Sequence, residues 1–215
     1  MNIQFLIAGV LGLLIGIDVH EFFHAWVADQ LGDRTARYMG RISLNPLVHL
    51  DPLGTVMMLA SLLSGFGIGW GKPVPVNPRN LRFGPRVGMG ILSFAGPLAN
   101  LVTATAFGLP LRMGTQLPGT LSLLFFQVML INIGLAVFNL IPLPPLDGYG
   151  VLQGILASMR GPTSYRLSRS LETLEQQGPF LLFFLILAGQ FIGLNVLGRF
   201  MDPLVTFLSR LILGI

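Results

Sequence analysis

The sequence predicts an all-α polytopic membrane protein, with a three-helix core, a re-entrant or extended segment and further C-terminal helices. Three observations predict it. Hydrophobic residues make up 53% of the 215 positions and charged residues only 10%. The mean hydropathy is +0.74, whereas a soluble domain carries roughly a quarter charged residues. Several apolar stretches approach the about 20 residues needed to cross a bilayer core.

The first stretch, residues 3–28, lacks a basic leader and a small-residue cleavage site. It reads as a retained membrane helix rather than a signal peptide. Residues 29–46 are polar and carry Arg34, Arg37 and Arg41. Residues 47–69 are apolar but interrupted by His49, Asp51 and Pro52. Residues 70–86 hold Pro73, Pro75 and Pro78, a density that predicts extended or turning chain. A second span is expected at Val87–Leu111 and a third at Leu117–Ile141, ended by Pro142, Pro144 and Pro145. A short apolar segment follows, then an amphipathic helix around Tyr165–Gln177. A further span is expected over 179–198. Residues 203–215 are short for a span and suit the interface. No repeat or long polar segment divides the chain. One domain over 1–215 is expected, with a core at 3–150 and C-terminal helices at 151–215.

Composition also excludes function classes. Cysteine is absent, which removes thiolate metal sites, disulfides and cysteine nucleophiles. The +4 charge rests on loop Arg and Lys, a topology signal at a lipid surface rather than a nucleic-acid footprint.

The first span contains His20-Glu21-Phe22-Phe23-His24. Residues four apart on a helix share a face, about 6 Å apart along the axis. Two imidazoles so placed can bind one metal ion, and the glutamate between them can serve a water as general base. The competing reading is a structural polar cluster. Ionisable groups at bilayer depth each cost on the order of 3 kcal/mol, and a divalent cation is the partner that offsets several at once. Asp18, two residues from His20, falls on a different face and reads as a packing or water-facing carboxylate.

A catalytic zinc takes three protein ligands and an open position. Most of the nine acids sit in polar segments. Asp147 stands out, because the prolines before it stop a helix and let the chain swing a carboxylate inward. Gly148 then reads as a positive-φ position. An Asp-Gly pair also makes ordinary turns. His49 is open between a structural hydrogen bond and a role near the metal.

These residues resemble the signatures of the site-2 protease family of intramembrane zinc metalloproteases. The resemblance lies in His20-Glu21-x-x-His24, Gly96-Pro97-Leu98-Ala99-Asn100 and Asn139…Asp147-Gly148. Asn45-Pro46-x-x-His49-x-Asp51-Pro52 and Gly71-Lys72-Pro73-Val74-Pro75-Val76 are also similar to family segments. The likeness covers about residues 16–150. It implies one zinc per chain on His20, His24 and Asp147, with Glu21 as base. It also implies contacts from Asn139 and Asn100 to substrate or oxyanion, and a membrane-anchored protein substrate. Many members carry a sensor domain, for which these 215 residues leave no room.

Ligand depth then constrains topology. His20 and His24 lie late in the first span, and Asp147 follows the third. For one ion to gather them, those two helices must run parallel with one crossing between. Residues 47–69 must therefore turn back without crossing. Charge distribution agrees. Without that crossing, ten of the thirteen Lys and Arg fall on one side, with Arg112, Arg199 and Arg210 opposite. With it, the split is six against seven and the bias vanishes. The expectation is a multi-pass protein of the cell membrane with its site nearer the cytoplasm. A metal or proton transporter and an inactive metal-bound scaffold are the rival functions. Oligomeric state and substrate identity are not encoded legibly, and no nucleic-acid partner is expected.

Overall fold

The computed structural model describes residues 3–64, 70–159, 161–191 and 195–215. Three of its long helices are α1 (Ile3–Gln30), α4 (Pro85–Arg112) and α5 (Gly119–Asn139). Among the described residues these are the three helices long and apolar enough to cross a membrane. A short α2 (Thr35–Tyr38) and α3 (Pro52–Ser64) lie between α1 and α4. The helices α6 (Asp147–Ser158), α7 (Pro162–Phe191) and α8 (Val196–Leu213) follow α5. The all-α membrane architecture is as expected.

Local chemistry sets the ends. Gly84, at φ +83°, turns the chain into Pro85, whose fixed φ suits the first helical position. Pro118 precedes α5, and Pro142 follows its last turn.

Side-chain neighbours give the helix directions. A Cβ at Gly12 would meet Ile131, and one at Gly16 would meet Leu135, so α1 and α5 run parallel. His24 bonds to the Leu92 carbonyl and Gly16 to Asn100, so α4 runs antiparallel to α1. One crossing therefore separates the two parallel helices. Met129, Ile133 and Val137 of α5 form a buried cluster with Ala104 of α4, and Met201, Val205, Leu208 and Ile212 of α8 pack on it.

The stretch around α3 returns to its starting level. Leu50 and Gly71 form an antiparallel bridge, and the Lys72 N–H donates to the His49 carbonyl at 2.7 Å. Both ends of the stretch thus meet. The 13 residues of α3 are about 20 Å long against a core of about 30 Å. The described ends of the segment therefore lie at one level, which agrees with the expected return; residues 65–69 fall outside the described part.

Two C-terminal expectations change. The amphipathic helix around Tyr165–Gln177 and the start of the expected 179–198 span are one helix, α7, continuous through Pro179. Neighbouring helices in a membrane protein re-satisfy the carbonyl that such a proline frees. Residues 192–194 lie outside the described part. The tail is also longer than 203–215, since α8 begins at Val196 and covers α4 and α5.

Candidate metal centre

Two helices deliver three atoms to a common point. His20 Nε2 and His24 Nε2, from successive turns of α1, are 3.0 Å apart. Asp147 Oδ2, from the first turn of α6, stands 3.1 Å from the first and 3.3 Å from the second. Both histidines are buried, at 9% and 6% exposure. The structure thus brings together two sequence-nominated histidines and the carboxylate 123 positions beyond His24.

The outer hydrogen bonds decide what these atoms can do. Asn132 Nδ2 donates to the Val128 carbonyl at 2.8 Å, which leaves its Oδ1 to accept from Asn100 Nδ2 at 2.8 Å. Asn100 Nδ2 also donates to the Gly16 carbonyl at 2.9 Å. The Asn100 Oδ1 is therefore an acceptor facing His20 Nδ1 at 2.7 Å. His24 Nδ1 faces the Leu92 carbonyl at 2.9 Å. Both Nδ1 atoms must carry their protons, so in neutral rings both Nε2 atoms present lone pairs. Two lone pairs and a buried carboxylate oxygen without a hydrogen-bond donor converge with no proton to share. Such a triangle repels itself until a cation enters. Its edges of 3.0–3.3 Å fit the roughly 3.3 Å edge of a tetrahedral site with bonds of about 2.0 Å.

Small residues open this space. A Cβ at Gly96 of α4 would stand 2.5 Å from His24 Nε2 and 2.7 Å from His20 Nε2. Gly90 and Gly154 let α4 and α6 approach backbone to backbone, with a Cβ at either only 2.7 Å from the other's Cα. That approach holds Asp147 at the level of the histidines. Gly148 differs from the expectation. It is not among the positive-φ glycines. It lies in the first turn of α6, where a Cβ would strike the Leu140 carbonyl.

The other nominated residues divide. Glu21 and Asn139 line two cavities that meet at the centre. Asn139 commits one amide hydrogen to the Leu135 carbonyl at 3.0 Å. Asn100 is 0% exposed and sits behind His20, where its amide oxygen grips the imidazole at Nδ1. His49 is also 0% exposed. Its Nε2 donates to the Ser43 carbonyl at 2.7 Å and lies 3.7 Å from Asp18 Oδ1. It therefore braces the loop ahead of α3 against α1 instead of the metal donors. Sequence reasoning missed Asn132 altogether, although an asparagine inside an apolar span was a visible signal. It also missed Arg41, buried at 5% exposure, whose guanidinium donates to the Lys72 and Pro73 carbonyls.

The cavities differ in character. One, about 480 Å³, is apolar, with Leu13, Ile17, Trp70, Leu135, Phe138 and Phe183 on its wall. The other, about 550 Å³, is more polar and contains Ser93, Asp147, Tyr149 and Glu175. Pro73 lines both.

Comparison with known proteins adds the family. Residues 111–186 match Peptidase family M50. The protein named "Putative zinc metalloprotease YwhC" from Bacillus subtilis is 39% identical over 169 residues, covering 73% of this chain and 74% of that protein. The chain belongs to peptidase family M50. Two further relatives, each named "Putative zinc metalloprotease Rip2", come from Mycolicibacterium smegmatis and Mycobacterium tuberculosis. They are 33% and 30% identical over 152 residues, covering 67% of this chain and 55% of theirs. No solved structure matches the chain. The M50 match begins after α1 and includes Asn139 and Asp147, so in this M50 peptidase the α1 histidines are tied to the family region by geometry.

Proposed function

We propose that this M50 peptidase is an intramembrane zinc metalloprotease that holds one zinc ion per chain on His20, His24 and Asp147. It cleaves a peptide bond in or beside the membrane span of a membrane-anchored protein. The observation that carries this reading is the triangle of three proton-free acceptor atoms beside Glu21, at the junction of an apolar and a polar cavity.

Zinc in that triangle supplies Lewis acidity toward a water and the scissile carbonyl. Glu21 takes the attacking water's proton and delivers it to the leaving amine, so one water is consumed and an acid and an amine result. Asn139 has a second amide hydrogen beyond the one given to Leu135, and donates it to the oxygen that gains charge as the carbonyl is attacked. Asn100 holds the His20 ring with Nε2 turned inward, which is work on the ligand rather than on the substrate.

The apolar cavity receives the substrate's membrane segment, and the polar cavity admits water. An intact substrate helix hides its carbonyls, so it unwinds locally. The extended Lys72–Val76 segment runs along both cavities through Pro73 and offers an edge for the unwound peptide. In this reading the protein lies in the cell membrane with its N-terminus outside and the centre nearer the cytoplasmic face, an orientation that the charge bias of the loops supports.

The test is Glu21→Gln in purified protein reconstituted with a model membrane substrate. Zinc is retained and cleavage falls by at least about 10²-fold. Cleavage at the wild-type rate would remove Glu21 from the chemistry.

A further inference from the structure

The polar cavity carries one charged group that the reaction above leaves unused. Its wall includes three carboxylates, Glu21, Asp147 and Glu175, and no Lys or Arg. A divalent cation at the centre balances Asp147 and Glu21. Glu175, on α7, is left over. It is exposed, and no ion pair reaches it among the described residues. On its own helix the positions three and four away are Leu171, Glu172, Gly178 and Pro179, none a cation. One turn later α7 is pinned to the loop that leads to Asp147, because a Cβ at Gly178 would overlap Pro144 at 2.6 Å. Pro179 lines both cavities. Glu175 thus lies on the wall of the polar cavity, one turn before that contact.

A membrane span meets the cytoplasm with an excess of Lys and Arg. The polar cavity opens at the end where α1 and α5 finish and α4 begins, the end that the charge bias assigns to the cytoplasm. A substrate whose apolar segment fills the first cavity therefore brings its basic flank past Glu175. We propose that Glu175 is a specificity-determining residue that selects substrates carrying Lys or Arg on the polar side of the cut. This rests on the protease reading above and names its substrate class.

The experiment uses full-length protein in zwitterionic phosphatidylcholine vesicles, so that lipid charge plays no part. Model substrates share one membrane span and differ in a single flanking residue, Lys or Glu, placed in turn at successive positions beyond the cut. At one or two positions the wild type prefers Lys over Glu by about fivefold in kcat/KM, the scale of one solvent-exposed ion pair. Glu175→Gln reduces that ratio to within about twofold, and Glu175→Lys inverts it. A ratio taken within each variant cancels any general loss of activity. An unchanged ratio in Glu175→Gln, or no preference in the wild type, overturns the proposal while leaving the protease reading intact. Cleavage of neither substrate by the wild type, or undiminished cleavage by Glu21→Gln, sinks that reading instead and takes this one with it.

Discussion

Replacing Gly96 with alanine adds one methyl group at the most crowded point of the metal centre. Its carbon would lie 2.5 Å from His24 Nε2, 2.6 Å from His20 Cε1 and 2.7 Å from His20 Nε2. Unstrained contacts need about 3.5 Å, so something must give by roughly 0.8–1.0 Å. The rings resist, because Asn100 and the Leu92 carbonyl hold each Nδ1 at 2.7 and 2.9 Å. Rotating either ring away loses a buried hydrogen bond, about 1–3 kcal/mol. Moving α4 away instead disturbs its close contact with α6 at Gly90 and Gly154, an overpacking cost of about 1–3 kcal/mol. Either route misplaces at least one donor. Gly96→Ala is therefore expected to weaken zinc binding by about 10–100-fold, the range for disturbing a ligand's support. The assay is zinc retained after dialysis against a graded chelator, with helix content followed by circular dichroism. Gly134→Ala is the control, since nothing lies within 4 Å of a Cβ there, and it should bind zinc as the wild type does. Gly96→Ala with wild-type zinc affinity would refute the reasoning.

Two other outcomes follow from the same geometry. Asn100→Ala leaves the His20 Nδ1–H without its acceptor and should weaken zinc binding by about 10–100-fold with the fold retained; chelator competition reads this directly. Asp33, in the loop after α1, concerns stability. Burial pushes its carboxyl up, but hydrogen bonds from the Thr35 and Asn80 side chains and the Asn77 and Thr35 N–H groups outweigh this and hold it below its ordinary value. Its stabilisation is complete above the unfolded-state pKa of about 3.9 and is lost as pH falls through the lower folded value. Asp33→Asn should cost about 1–3 kcal/mol at neutral pH and show a flatter loss of stability below about pH 4, measured by thermal unfolding in detergent.

What could be read from the chain alone was governed by geometry that needs no partner. The spacing of His20 and His24 is intrinsic to a helix. The parallel course of α1 and α5 and the return of residues 47–69 followed from asking one ion to meet three residues. Helix rotation was not legible. The first and third spans are apolar on nearly every face, so periodicity does not say which side meets a neighbour. For that reason Asn132, on the third span, went unnoticed; Asn100, on the second, was directed at a substrate by family resemblance, and its amide faces His20 Nδ1. Gly96 stood out as part of a family-like motif, whereas the space it leaves lies against the imidazole nitrogens. Gly148 illustrates the same limit. Its need for glycine comes from the Leu140 carbonyl, a neighbour set by the tertiary path. The division expected between Tyr165–Gln177 and 179–198 did not hold, because a proline's lost hydrogen bond does not end a helix that packing supports.

The most direct measurement is zinc per chain in purified wild-type protein and in His20→Ala, His24→Ala and Asp147→Ala. One tightly held zinc in the wild type, and at least tenfold weaker retention in each of the three variants, is the expected result. A wild type that takes up no zinc, or an Asp147→Ala variant that holds it as firmly as the parent, would contradict a centre assembled from α1 and α6.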